Sequence, residues 1–210
     1  MNSLILHKFT PNQGAEIIIA RIGKVIEQLN PVQLNAYEGN YSLERKAQLA
    51  CADALVSDYF KSDVVIQRNA SGAPSLVGSE LHISISHTYD FMAIYLSEKG
   101  PVAIDIELLG RDIERIKHRF TTEEEVAAFE ALNFSEPLLQ VWGLKECLFK
   151  VIPTNKVLFK NHLFTKRPQQ KNDRVICDGE VRHPHFNADY SMVSCIFEPL
   201  IVSYISMDRP

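Results

Sequence analysis

Two short stretches, VAIDIE at residues 102–107 and WGLKECLFK at residues 142–150, constrain this chain more than anything else in it. In an extended strand successive side chains alternate faces. Asp105 and Glu107 therefore share one side, while Val102, Ile104 and Ile106 line the other. On a helix Trp142, Glu146, Phe149 and Lys150 fall near one stripe, which sets a third carboxylate beside a large apolar surface with a lysine one turn on. Acidic groups converging from a strand and a helix make a hard-cation site. Because every candidate ligand (Asp105, Glu107, Glu146) is an oxygen donor, Mg²⁺ is expected rather than zinc.

Composition allows such a site without demanding it. The 210 residues, 46% of them hydrophobic, can bury a core as one large domain or two small ones, and they exclude a mainly disordered chain. Cys51, Cys147, Cys177 and Cys195 form no CxxC pair or metal-finger spacing, so reduced thiols and a cytoplasmic location are expected. The opening MNSLILHKF is too short an apolar run for a signal peptide, and no stretch approaches a membrane span. The net charge of -4 hides a local polarity: acids outnumber bases nine to four over residues 105–136, while residues 145–174 carry eight Lys or Arg against two acids. The basic segment could meet an anionic partner or could be a solvated face. No basic stripe is interleaved with aromatics, which argues against nucleic acid.

Along the chain, periodicity and breakers predict a helix from Ser42 to about Phe60, with Leu43, Ala47, Ala50, Ala54 and Leu55 on one side. A turn is expected over residues 71–78, then strands over 81–86, 91–97 and 102–107. Thr122 with Glu125 fits a capping box for a helix reaching about Leu132, and Ser135 with Pro137 opens the helix that ends before Pro153. Residues 156–172 read as loop with a short strand, and residues 175–180, 191–197 and 201–206 as strands. The class is α+β.

ISISH at residues 83–87, VAIDIE, RFTTEEE at residues 119–125 and WGLKECLFK follow one another in an order that resembles the 4'-phosphopantetheinyl transferases of the larger, single-chain class. Those enzymes carry a GKP turn, an (L/I)SHS strand, a VGIDIE strand, an RFFSxxE helix start and a W(S/C)xKE(A/S)xxK helix. The match runs from about Tyr41 to Phe164. It implies two similar α+β lobes, residues 1–100 and 101–210, packed as a pseudo-dimer with the site in the cleft between them. It further implies transfer of the phosphopantetheine arm of coenzyme A to a serine of an apo acyl or peptidyl carrier protein, with release of adenosine 3',5'-bisphosphate. An internally duplicated chain has less need of a partner subunit, so a monomer is expected. Asp105, Glu107 and Glu146 would hold Mg²⁺, Glu146 would alternatively serve as general base, and Lys150 would contact phosphate. Gly72, Pro74, Ser86 and His87 would grip coenzyme A, and Arg45 or Lys46 could reach its 3'-phosphate. Glu124 would align with the glutamate of the RFFSxxE start.

Plainer readings stand beside these. Asp105 and Glu107 could be the solvent face of an edge strand, Glu146 and Lys150 an i,i+4 ion pair, and the acids of residues 123–125 a first turn favoured by the helix dipole. His183 and His185, lacking a third ligand at sensible spacing, read as loop, and Cys147 as a small core thiol. Several positions depart from the family pattern: Ala73 replaces the GKP lysine, Ala103 the VGIDIE glycine and Thr88 the second SHS serine. The arginine of the LAxRxLL helix is missing from residues 49–55, and VIPTNK stands after Lys150. These fall on the coenzyme A grip rather than on the carboxylates. Two rivals follow: a silent relative that binds coenzyme A or a carrier without transfer, and an unrelated metal-dependent phosphoesterase.

Overall fold

The computed structural model describes residues 5–28, 37, 41–69, 72–153 and 156–206. The chain divides into two compact units, Met1–Gly100 and Pro101–Pro210. Each is built of antiparallel strands and helices, so the α+β class holds. Ser71 of the expected turn, Thr154 and Asn155 of the VIPTNK stretch, and residues 1–4 of the N-terminal stretch lie outside the described residues.

The first unit carries a four-stranded sheet in the order β1-β2-β6-β5. Its strands are β1 (Ile5–Phe9), β2 (Ala15–Arg21), β5 (His82–Thr88) and β6 (Phe91–Ser97). The β1–β2 hairpin was not read from the sequence. A short helix α1 (Ile22–Ile26) follows β2, and a small hairpin pairs β3 (Ile66–Arg68) with β4 (Pro74–Leu76) inside the stretch expected to be only a turn. The long helix α2 (Leu43–Phe60) starts where expected because Ser42 Oγ accepts the backbone N–H of Arg45, and it stops at Lys61 in the left-handed region. Its buried side keeps Ala50 and Leu55 of the expected face, with Ala47 and Ala54 partly buried against the core, and departs from it at Leu43. Leu43 is 87% exposed, and Gln48, Cys51, Ala52, Leu55 and Val56 face the core, a stripe at i, i+3, i+4, i+7 and i+8.

In the second unit a five-stranded sheet runs β7-β11-β10-β9-β8. The strands are β7 (Ile104–Leu108), β8 (Leu163–Lys171), β9 (Arg174–His183), β10 (Phe186–Phe197) and β11 (Leu200–Ser206). The first and last strands of the unit are neighbours, with Asp105 opposite Ser203 and Glu107 opposite Ile201. Residues 163–171, expected to be mostly loop, form a full edge strand. Its period breaks at a register shift between Lys166 and Gln169, with Arg167 at φ 50 and Pro168 beside it, the kind of irregularity that ends pairing at an edge. Two short helices, α3 (Lys117–Phe120) and α4 (Glu123–Glu130), precede the central helix α5 (Pro137–Lys150), and α6 (Phe159–His162) leads into β8. Proline at the first turn suits α5, whose missing N–H would have no partner there anyway. Leu144, Cys147 and Leu148 of α5 pack with Phe120, Phe129, Val175, Cys177, Val181 and Met192 in one apolar core.

A buried ion pair ties these helices to the sheet. Lys145, 0% exposed, donates to Glu125 Oε2 at 2.7 Å and to the Phe120 carbonyl at 2.6 Å. Glu125 also completes the Thr122 capping box and accepts the backbone N–H of Thr165 on β8 at 2.9 Å. Four segments thus meet on one carboxylate. Removing its cation strands a buried charge, so Lys145→Met is expected to lower the unfolding free energy by about 3–5 kcal/mol in urea titration despite matching the lysine stem.

Candidate active site

Asp105 and Glu107 alternate with Ile104 and Ile106 along β7 as the pattern predicts, yet both faces are covered: Asp105 is 7% and Glu107 5% exposed. The reading of a solvent-facing edge strand therefore fails. What covers the acidic face is α5. The helix comes close because Gly143 has no side chain; a Cβ there would lie 2.7 Å from Ser203 Oγ and 3.6 Å from Asp105 Oδ2. At 3.2 Å the Cys147 thiol donates to the Ser203 carbonyl, so this cysteine is a buried packing group as expected.

Close approach brings the helix polar groups onto the strand carboxylates. Lys150 Nζ donates to Asp105 Oδ1 at 2.8 Å and to the Ile104 carbonyl at 2.7 Å. The Trp142 indole N–H donates to Glu107 Oε1 at 2.8 Å. That same oxygen accepts from the Arg111 guanidinium, four residues along the chain. The Leu108–Arg111 turn folds the arginine back: Arg111 N–H reaches the Leu108 carbonyl at 3.2 Å, and Gly110, at φ 77, takes the position that a left-handed turn residue requires. Glu136, at the start of α5, accepts the Gly110 N–H at 3.1 Å and fixes the turn to the helix.

Glu146 stands among these charges. Burial, with Asp105 and Glu107 beside it, pushes its carboxyl up to about 7 against the pull of Lys150 and Arg111. Burial raises Glu107 as well, with Arg111 opposing. On Lys150, burial pulls downward, but Asp105 and Glu146 more than offset it and hold the ammonium charged. Glu146 and Lys150 are therefore more than an isolated i,i+4 pair. Among the described residues no group of three His, Cys, Asp or Glu side chains is arranged to hold a metal ion. Lys150 takes Asp105 Oδ1, while Arg111 and Trp142 share Glu107 Oε1.

The expected grip residues lie in the first unit. Gly72 adopts φ 85 in the turn between β3 and β4, and Pro74 begins β4. Asn69 spans this turn, its side chain accepting the Ala73 N–H at 2.9 Å, and Arg68 Nη1 donates to the Gly72 carbonyl at 3.2 Å. Ser86 and His87 lie near the end of β5, Ser86 buried and His87 exposed. Arg45, in the first turn of α2, bonds Gln48 and lies close enough to Arg68 to lower its pKa, behind the larger effect of burial. Arg68 is thus a cation at the turn that lost its lysine, in a position that the GKP comparison never tests. The Ala103 methyl packs in the core of the second unit rather than at an open surface.

Three further readings change. Glu124 is exposed, and the glutamate of the helix start that the fold uses is Glu125, seventh in RFTTEEE as in RFFSxxE. The basic segment is largely neutralised: Lys145, Lys150, Lys166, Arg167 and Arg174 pair with Glu125, Asp105, Glu180, Asp178 and Asp173. His183, expected in loop, ends β9 as a buried residue, while His185 sits in the β9–β10 turn; the His183 ring meets that of His162 edge-on and that of His185 at a tilt. The four cysteines are free and buried.

The shifted Glu146 carboxyl has a thermodynamic consequence. Its folded value, about 7, exceeds the 4.5 of an unperturbed glutamate, so the folded state holds a proton that the unfolded chain releases. That contribution is fully present below pH 4.5 and is lost as pH rises through about 7. With chelator present, Glu146→Gln is expected to stabilise the protein at pH 8 by on the order of 2 kcal/mol, discounting for partial exposure, and to converge on the parent toward pH 4.5. Denaturant titrations at the two ends of that range measure it.

No curated protein matches the chain. Residues 101–195 match the family model described as the 4'-phosphopantetheinyl transferase superfamily. That span contains β7, α5, all three site carboxylates, Arg111 and Lys150, together with the clamp of Lys145 and Glu125. Over residues 101–195 the chain is thus similar to the 4'-phosphopantetheinyl transferase superfamily.

Proposed function

We propose that the chain transfers the 4'-phosphopantetheine arm of coenzyme A to a serine of an apo acyl or peptidyl carrier protein, leaving adenosine 3',5'-bisphosphate. The observation that carries this reading is that, between β7 and α5 in the matched span, Lys150 pairs with Asp105 while Glu146 feels the charges of both Asp105 and Glu107. The donor set suits a hard dication. All three acids offer oxygen, and Glu107 Oε2 is buried with no hydrogen-bond partner among the described residues. Mg²⁺ held there by Asp105, Glu107 and Glu146 would supply charge neutralisation at the diphosphate.

The residues themselves then divide the work. Where Asp105 and Glu107 alone hold the metal, Glu146, with its carboxyl near 7, is instead matched to take the proton of the carrier serine, directly or through a water. Lys150 uses two donors on Asp105 and the Ile104 carbonyl and retains a third for a phosphate oxygen. Trp142 keeps Glu107 in place by its indole N–H. Gly72, Pro74, Ser86, His87 and Arg45 remain the proposed coenzyme A contacts, with Arg68 added to them. Four unpaired thiols agree with a reducing, cytoplasmic setting.

Incubation with coenzyme A, Mg²⁺ and a panel of apo carrier proteins, followed by intact-mass measurement of the carriers, tests the proposal. A phosphopantetheine mass gain is expected, reduced by about 100-fold or more in Glu146→Gln and Asp105→Asn. Coenzyme A binding without mass gain on any carrier would instead mark a silent relative, and release of nucleotide without transfer a phosphoesterase.

A further inference from the structure

Two donors meet on Glu107 Oε1, and they differ in freedom. The Trp142 ring is pinned by Phe120 at a centroid distance of 4.9 Å and by Phe159 at 5.6 Å. It cannot leave Glu107 without breaking that stack. Arg111 arrives from the surface on a tight turn, its side chain 45% exposed while Glu107 is 7%. Of the two donors, Arg111 is the one whose side chain can swing into solvent, and a second cation at Glu107 would offset the charge it leaves behind. Lys150 is held by two acceptors and is only 26% exposed. The other oxygen, Glu107 Oε2, is buried and lacks a hydrogen-bond partner among the described residues. A dication entering toward Oε2 would therefore meet a carboxylate already compensated by a guanidinium, and two positive groups repel at such range.

We propose that Arg111 is an exchangeable cation, neutralising Glu107 while the site holds no divalent ion and moving onto the diphosphate of coenzyme A when metal and ligand enter. The assignment rests on the transferase reading above. The contact that breaks is guanidinium to Glu107; the contact that forms is guanidinium to phosphate, for which the planar, permanently charged fork is well matched. Before entry, Lys150 and Arg111 offset two of the three acids; afterwards the dication takes over from Arg111 at Glu107, and the arginine offsets part of the charge on the incoming diphosphate. The Gly110 turn, tied to α5 through Glu136, keeps Arg111 within reach of both.

Calorimetric titration of Mg²⁺ alone, and of coenzyme A at saturating Mg²⁺, into the parent protein, Arg111→Met and Arg111→Lys tests the exchange. Arg111→Met is expected to bind Mg²⁺ about fivefold tighter, because a competing cation is gone, and coenzyme A about tenfold weaker. Arg111→Lys should fall between. Unchanged or weaker Mg²⁺ affinity in Arg111→Met overturns the proposal and leaves a surface ion pair. Tighter Mg²⁺ with unaltered coenzyme A affinity overturns the move onto the diphosphate. Arg111→Gln gives the same two readings should the methionine variant fail to fold. A parent protein that takes up no Mg²⁺, and that Glu146→Gln leaves unchanged in this respect, instead sinks the metal site itself.

Discussion

The packing of one helix across one strand sets the terms for everything else in the second unit. At Gly143 the helix comes within van der Waals range of Ser203 and Asp105, and that approach puts two strand acids and one helix acid out of water together. Burying like charges side by side is unfavourable, and the local chemistry answers it in three ways. Lys150 and Arg111 supply opposite charge, Trp142 supplies a neutral donor, and Glu146 accepts a proton near neutral pH. A site with those properties is unfavourable to stability.

Stability is restored nearby by groups that do no chemistry. Lys145, adjacent to Glu146, points the other way into the core, where Glu125 joins it to the start of α4 and to β8. Adjacent residues on α5 thus serve opposite ends: one lysine fastens the helix down, and the next residue holds an acid in a strained electrostatic setting. Five of the eight cations in the basic stretch are taken up by ion pairs among the described residues, which is why its net charge says little about what the surface offers.

Local signals proved readable wherever the physics is local. Ser42, Thr122 with Glu125, and Pro137 set helix starts by hydrogen bonding or ring geometry within four residues, and each start lies where these residues place it. Alternation along VAIDIE correctly put Asp105 and Glu107 on one face. What failed depended on distant neighbours. Leu43 looks like a core residue by type, yet it is exposed in the first turn of α2, while Ala50 and Leu55 of the same expected face are buried together with Cys51 and Val56. Residues 163–171 carry too many polar groups to read as a strand, but an edge strand leaves its polar side in solvent. Arg111 had no motif to betray it; only the Gly110 turn, folding it back onto Glu107, gives it a place at the site.

Trp142 is the single tryptophan in the chain, and its indole N–H is spent on Glu107. The molecule therefore carries its own optical probe. Emission from that ring has no competing indole, it reports from between Phe120 and Phe159, and any change in charge at Glu107 acts directly on the excited-state dipole. A change of charge at Glu107 can be followed in the unlabelled protein, in real time, by fluorescence alone.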